Sequence, residues 1–479
     1  MNKNNWRTSS LGIVFLVCLG LAFMKKASSK TRWVLALLLT LSMIITTVGL
    51  AGAADLSWFT NNPESVGLSQ QGLELIDQAY TQLINTQQTA GTVILIARHG
   101  KIAHLKSLGY ADIENKVPMN PSTMFRIASM SKAIVYAAAL MEWERGAFKM
   151  DDPISKYIPE FKNPQVLIPD PNNATQYTLV PAKREIAIWH LFTMTSGLCY
   201  LDFDEGSAQL NQFYVNVGGL NDGLSPSNYN NAELVIKLAS LPLKFDPGTS
   251  WTYGYSAGVM ARLVEITSGM SIGAYLQKNM FEPLGMHDTT FHVPLAEVHR
   301  IARPYAITAS GLQLIPDGTK YGVLGADPSY PYDNNTQLES GDSGLVSTIF
   351  DYYTFLQMML NKGTLNGVRI LQAKTVEMMT LNQTGNAYLS IGGFGPETIF
   401  GSLEPGAGWG LGVQVLADPT QGWTWANPGQ WCWGGFWGTT FWVDPAEDLI
   451  ILQMQQAQPY PSPGMYPIQP LVYNAIINP

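Results

Sequence analysis

Strand-forming text sits at both ends of this chain, and helices fill the middle. Near the start, "TVILIARHGKIAHLKSLGYAD" (92–112) is two apolar segments around His99-Gly100, a β-hairpin signal. The last third reads as strands again: "WGLGVQVLAD" (409–418), "GTTFWVDP" (438–445) and "DLIILQMQQ" (448–456). The Asp444-Pro445 turn joins the last two as an antiparallel pair. Between the ends, residues 129–145 predict an Ala-rich helix closed by Gly146, and further helices are expected at 259–268, 272–280 and 349–361. Residues 150–250 are loop-rich and broken by Pro. The simplest packing closes the two sets of strands into one antiparallel sheet, with helices on its faces and a helical subregion, about 126–250, beside it. That is an α/β (α+β) chain with its main domain over 60–479.

The N-terminus reads as a targeting region, 1–54. A basic stretch (Lys25, Lys26, Lys30, Arg32) precedes an apolar run from Trp33 to Leu50, and Ala51-Gly52-Ala53 supplies a small-residue cleavage signal. A signal peptide over 24–53 starting at Met24 fits this pattern. The preceding "SLGIVFLVCLGLAF" is short for a membrane span. Either 1–23 is an upstream extension from a misassigned start, or the two apolar runs form a retained anchor. The protein is therefore expected to be exported, periplasmic or secreted, with membrane contact only through an uncleaved N-terminus. A net charge of -8 without a long basic run argues against nucleic acid as a partner. In an oxidising compartment Cys199 and Cys432 are candidates for a disulfide or for two separate small hydrophobes.

Three segments compete as nucleophile sites. Gly254-Tyr255-Ser256-Ala257-Gly258 fits a G-x-S-x-G elbow, but Pro247-Gly248 break the strand that motif needs, and no histidine follows His299. Gly341-Asp342-Ser343-Gly344 looks like a chymotrypsin-type serine, yet the helical middle disagrees with a two-barrel fold, and a Gly-rich turn before the 349–361 helix is the preferred reading. Ser129-Met130-Ser131-Lys132 is the only Ser-x-x-Lys in the chain. Residues three apart share a helix face, so the Ser129 hydroxyl would lie beside the Lys132 amine. A lysine desolvated among Ala and Met loses proton affinity and can accept the serine proton. The plain alternative is a lysine snorkelling from a helix edge.

Ser129-x-x-Lys132, Tyr253 in "PGTSWTYGYS" and Trp433-Gly434-Gly435 in "WCWGGFWGTTFWVDP" stand in the order of three motifs of the serine β-lactamase / penicillin-binding superfamily. The chain resembles its esterase branch, the family VIII carboxylesterases related to class C β-lactamases, over about residues 60–479. Supporting text includes "FRIASMSKA", "HLFTMTSGL" and "GDSGLVSTIFDYYTFLQMMLNKG". The resemblance implies an antiparallel sheet flanked by helices, an all-helical region, and a site in the groove between them. It implies acyl transfer: Ser129 as nucleophile, Lys132 as base, and Tyr253 passing a proton to the leaving group. Tyr255 is the fallback tyrosine and a substrate-binding candidate, because the family's Tyr-x-Asn is altered to Tyr253-Gly254-Tyr255. The oxyanion hole would be the backbone N–H groups of Ser129 and Phe436, each donor stabilising the oxyanion by roughly 3–4 kcal/mol. Trp433, Gly434 and Gly435 would line the substrate edge.

The third motif departs from the β-lactamase pattern. Lys or His usually stands where Trp433 is, and an indole donates one hydrogen bond but carries no charge. That weakens recognition of anionic β-lactams and suits a neutral ester. Trp423, Trp425, Trp431, Trp437 and Trp442 gather nearby in sequence as core or groove wall. The expected function is a serine hydrolase cleaving small neutral esters, the partner being a small-molecule ester or amide. Alternatives of the same fold are a β-lactamase, D-aminopeptidase or DD-carboxypeptidase, a transacylase, or a poorly turning-over penicillin-binding sensor. No cofactor is expected. The six histidines show no metal-ligand spacing, and no phosphate loop implies a nucleotide.

Overall fold

The computed structural model describes residues 58–477, apart from 171, 201–207, 219, 323, 386–405, 422–424, 460–464 and 466–467. The targeting region and Trp423 lie outside the described residues. Thr60–Pro479 cluster as one unit.

Helix α1 (Gln70–Asn85) starts at Ser69, whose side chain accepts the Gly72 N–H, and buries Leu73, Ile76 and Tyr80 along one face. Strands β1 (Gly91–Arg98) and β2 (Lys101–Asp112) form the expected hairpin, turning at His99-Gly100 with both residues at positive φ. A short β3 (Val117–Pro118) extends the edge, and β4 (Met124–Arg126) leads into a turn and helix α2 (Ser131–Glu144). Strands β5 (Gln165–Asp170) and β6 (Asn173–Pro181), then helices α3 (Asn231–Ala239) and α4 (Ser256–Ser268), make up the middle. Strand β7 (Val346–Thr348) pairs with β4 and runs into α5 (Ile349–Leu360). The C-terminal part holds β8 (Ala407–Trp409), β9 (Gln414–Leu416), β10 (Trp431–Gly435), β11 (Thr439–Asp444), β12 (Leu449–Met454) and α6 (Ile468–Asn474).

The main sheet has the order β8-β9-β10-β11-β12-β1-β2-β3. N- and C-terminal strands do close on each other: β1 pairs antiparallel with β12 from Val93↔Met454 to Arg98↔Leu449. Side chains alternate across the pleat. On one face Ile94, Ile96, Trp442, Leu449 and Ile451 pack with Leu73, Ile76 and Tyr80 of α1 and Ile468 and Val472 of α6. Each such apolar side chain contributes about 1.5–3 kcal/mol of burial. Alternation turns Phe441 to the other face, where its ring lies 5.5 Å from Tyr352 of α5. The chain is thus of the α/β (α+β) class, one antiparallel sheet with helices packed on its two faces.

Two expectations need correction. The middle region is not all helical: "QVLIPD" and "NATQYTLVP" form the β5–β6 hairpin, paired from Gln165↔Pro181 to Asp170↔Asn173. Val166 and Leu167 are buried there, and the outer edge of β5 bonds to Leu243; Pro169 is tolerated at a register shift and Pro181 at the strand end. The 409–418 segment is not one strand. It breaks at a turn closed by Gly410 N–H donating to the Val413 carbonyl at 2.8 Å, with Gly412 at φ 95°, and its two halves pair as β8 and β9.

Candidate active site

Ser129 lies in a single 3-10 turn, Ala128–Met130, immediately before α2, and not inside the helix as the sequence suggested. Ala128 is held at φ 44°, a left-handed conformation costing a non-glycine residue about 1–3 kcal/mol. Surrounding bonds hold it there. Ile127 N–H donates to the Leu345 carbonyl (3.1 Å), Leu345 N–H donates to Ser131 Oγ (3.1 Å), and Tyr352 Oη donates to the Met130 carbonyl (3.0 Å). The three-residue spacing still brings the pair together, with Lys132 Nζ 3.4 Å from Ser129 Oγ.

Lys132 is completely buried because α2 is apolar on every side and sits in the core. Its amine donates to the Asp342 carbonyl at 2.7 Å and to Tyr200 Oη at 3.0 Å, and lies 4.7 Å from the Tyr253 ring centroid. The Asp342 carboxylate is 3.9 Å away, itself fully buried. Burial pulls the lysine from its ordinary 10.5 down to about 8, against the opposing pull of Asp342 and Asp222. The snorkelling alternative is thereby excluded.

Tyr253 faces the same point. Its hydroxyl is hydrogen-bonded with Ser129, and it accepts the Trp433 indole N–H at 3.2 Å. Burial raises its pKa well above 10, outweighing those two bonds, so it stays a neutral phenol. Gly254 explains how Tyr253 meets Tyr200: a Cβ there would stand 2.2 Å from the Leu198 carbonyl, so only glycine lets the two segments run side by side. Tyr200 N–H then donates to the Tyr253 carbonyl at 3.3 Å, and the two rings meet edge-on at 5.3 Å. Tyr255 is one ring further out. It packs on Tyr200 at 4.5 Å, and its hydroxyl donates to the Leu220 carbonyl at 3.4 Å.

Trp433, Gly434 and Gly435 lie on β10, paired with Phe441, Thr440 and Thr439. A Cβ on Gly435 would stand 2.2 Å from the Ile127 carbonyl, so the end of β10 abuts the turn that carries Ser129. Phe436 follows at the start of the hairpin closed by Gly438 N–H on the Gly435 carbonyl (2.8 Å), and Gln458 donates its side-chain amide to the Phe436 carbonyl. A tryptophan distant in sequence packs on Trp433. Trp409 meets it edge-on at 4.7 Å, and Trp251 lies 5.5 Å from Trp409. Trp431, Trp437 and Trp442 are core, and Trp425 is exposed.

The competing serines are elsewhere. Ser256 opens α4, fully buried, with its Oγ 3.0 Å from Ser196 Oγ. Ser343 Oγ donates to Asp222 at 3.4 Å. The Gly-rich turn around it nonetheless matters, because it delivers Asp342 to Lys132. Sequence reading missed Tyr200, Asp222 and Asp342. The one available signal was the acidic residue inside the rejected Gly-Asp-Ser-Gly. Cys199 and Cys432 are thiols and form no disulfide. Among the described residues no group of three or more His, Cys, Asp or Glu could hold a metal ion, and no helix is long and apolar enough to cross a membrane.

Fold and site together define a β-lactamase-type serine hydrolase. The chain belongs to the Beta-lactamase family, which matches residues 76–466. Protein Rv1367c of Mycobacterium tuberculosis is 30% identical over 380 residues, 77% of this chain and 86% of that protein. Esterase EstB of Burkholderia gladioli is 29% identical over 388 residues, 79% of this chain and 88% of the esterase. The solved structure of EstCE1, a hydrolase with promiscuous acyltransferase activity, aligns with TM-score 0.69 and 26% identity, covering 85% of this chain and 99% of that one. Unliganded simvastatin synthase (LovD) from Aspergillus terreus shares the fold, with TM-score 0.66, 21% identity, and 85% and 98% coverage.

Proposed function

We propose that this protein hydrolyses esters of small, neutral substrates through an acyl-serine intermediate. The carrying observation is the convergence of Lys132 Nζ and the Tyr253 hydroxyl on Ser129 Oγ, beside an uncharged Trp433. In the proposed cycle the neutral Lys132 amine takes the Ser129 proton as Oγ attacks the ester carbonyl. The Ser129 and Phe436 N–H groups stabilise the oxyanion. Tyr253, a neutral phenol, protonates the departing alkoxide and is reprotonated through Lys132. Water then takes the acyl group. Similarity to the esterase EstB supports ester substrates, while the promiscuous acyltransferase activity of EstCE1 supports an alcohol as an alternative acyl acceptor.

The test compares aryl acetates with a chromogenic cephalosporin bearing a carboxylate. Ester turnover should dominate. Cephalosporin rates matching those of esters would move the assignment to a β-lactamase or peptidase, and an acyl-enzyme that persists without turnover would move it to a sensor. Export remains our proposal from residues 24–53 and is checked by intact mass of the protein recovered outside the cytoplasm.

A further inference from the structure

We infer that Asp342 sets the pH at which the Lys132 amine becomes a base: its carboxylate, 3.9 Å from Nζ and shut off from water, holds a proton on an amine that burial alone would release. This rests on Lys132 acting as the base.

Asp342 reaches Lys132 twice, through its carbonyl at 2.7 Å and its carboxylate at 3.9 Å, and both side chains are 0% exposed. Neither carboxylate oxygen lies at close hydrogen-bond distance from a donor. The Gly258 N–H at the start of α4 and the Tyr200 hydroxyl face it more loosely. Asp222, the second carboxylate near the amine, differs: its oxygens accept from Leu224 N–H (3.3 Å) and Ser343 Oγ (3.4 Å). Donors on an anion spread and stabilise its charge, and an anion without them acts mainly on the nearest cation.

The groups facing the amine are few. Ser129 comes from the turn before α2, Tyr200 from the segment beside Gly254, Tyr253 from the segment before α4, and Asp222 and Asp342 from two loops. Burial keeps both tyrosines neutral. The two aspartates therefore supply the charge that opposes desolvation, and Asp342 exerts the stronger pull of the two. It is a positioning residue, because it meets no substrate atom and acts through the lysine.

The experiment is the pH dependence of Ser129 labelling by a neutral fluorophosphonate, alongside kcat/KM on an aryl acetate. Asp342→Asn, nearly isosteric, should move the acidic limb of both profiles down by about 1–3 pH units. Asp342→Ala should move it the same way, and Asp222→Asn should move it less. An acidic limb that stays in place in both Asp342 variants, while Lys132→Ala is inactive, overturns the inference. Turnover retained by Lys132→Ala would instead overturn the base assignment beneath it.

Discussion

The Trp433 indole N–H donates to the Tyr253 hydroxyl oxygen at 3.2 Å. An indole nitrogen can only donate, so the phenolic proton must point away from it, and Ser129 is hydrogen-bonded to the same hydroxyl. Trp433 thus fixes the direction of a proton that a cation at the same place would also fix, without offering charge to a carboxylate.

Trp433→Phe keeps an aromatic ring and deletes that donor. We expect kcat on an aryl acetate to fall roughly 2–10-fold, the worth of one neutral hydrogen bond, with KM nearly unchanged. A large rise in KM at constant kcat would make the indole a substrate contact instead.

The two tyrosines separate cleanly. Tyr253→Phe should lower kcat by about 10²–10⁴-fold, the range for loss of a general acid. Tyr255→Phe removes only a 3.4 Å bond to a backbone carbonyl and should stay within a few-fold of wild type. Equal losses would mean that the rate follows the aromatic packing and not the proton.

Ser129→Ala should lose at least about 10⁴-fold in turnover and all fluorophosphonate labelling. Ser256→Ala should keep most activity and lose about 1–3 kcal/mol of stability, since Ser196 Oγ is left buried without that partner. Labelling mapped by mass spectrometry to Ser256 would reverse the assignment.

The rate should rise with pH through about 8, where the buried amine of Lys132 sheds its proton. Stability should respond to Asp342 with the opposite trend. Burial raises its carboxyl from 3.8 to about 7, so the folded state binds more protons than the unfolded state across that window. The group's contribution to stability therefore falls as pH rises from 3.8 to 7. Asp342→Asn should melt several degrees higher than wild type at pH 8, and the gain should shrink towards pH 4 in calorimetry. A gain identical at both pH values would show that the carboxyl titrates as it does in the unfolded chain.

Periodicity and spacing made the sheet and α2 legible, because the strands are apolar runs bounded by turns and the Ser-x-x-Lys pair is local in sequence. The β5–β6 hairpin was hidden by its prolines, which mark breaks in a central strand but are tolerated at a register shift or a strand end. Trp251 and Trp409 were missed because the wall around Trp433 is assembled across β8, β10 and the segment before α4, where sequence neighbours point to opposite faces. Asp342 was hidden differently. Its turn was read correctly as a turn, but nothing local says that a lysine 210 positions earlier donates to its carbonyl.

The pairing of β1 with β12 bears on how the chain acquires its structure. Strand β1, interior to the sheet, spans residues 91–98, and its partner β12 spans 449–454. Until almost the whole polypeptide is available, one edge of β1 has no mate, so loop closure over hundreds of residues precedes completion of the core. Assembly should therefore be slow and all-or-none, and a chain shortened before residue 449 should aggregate through that waiting edge instead of keeping a partial activity.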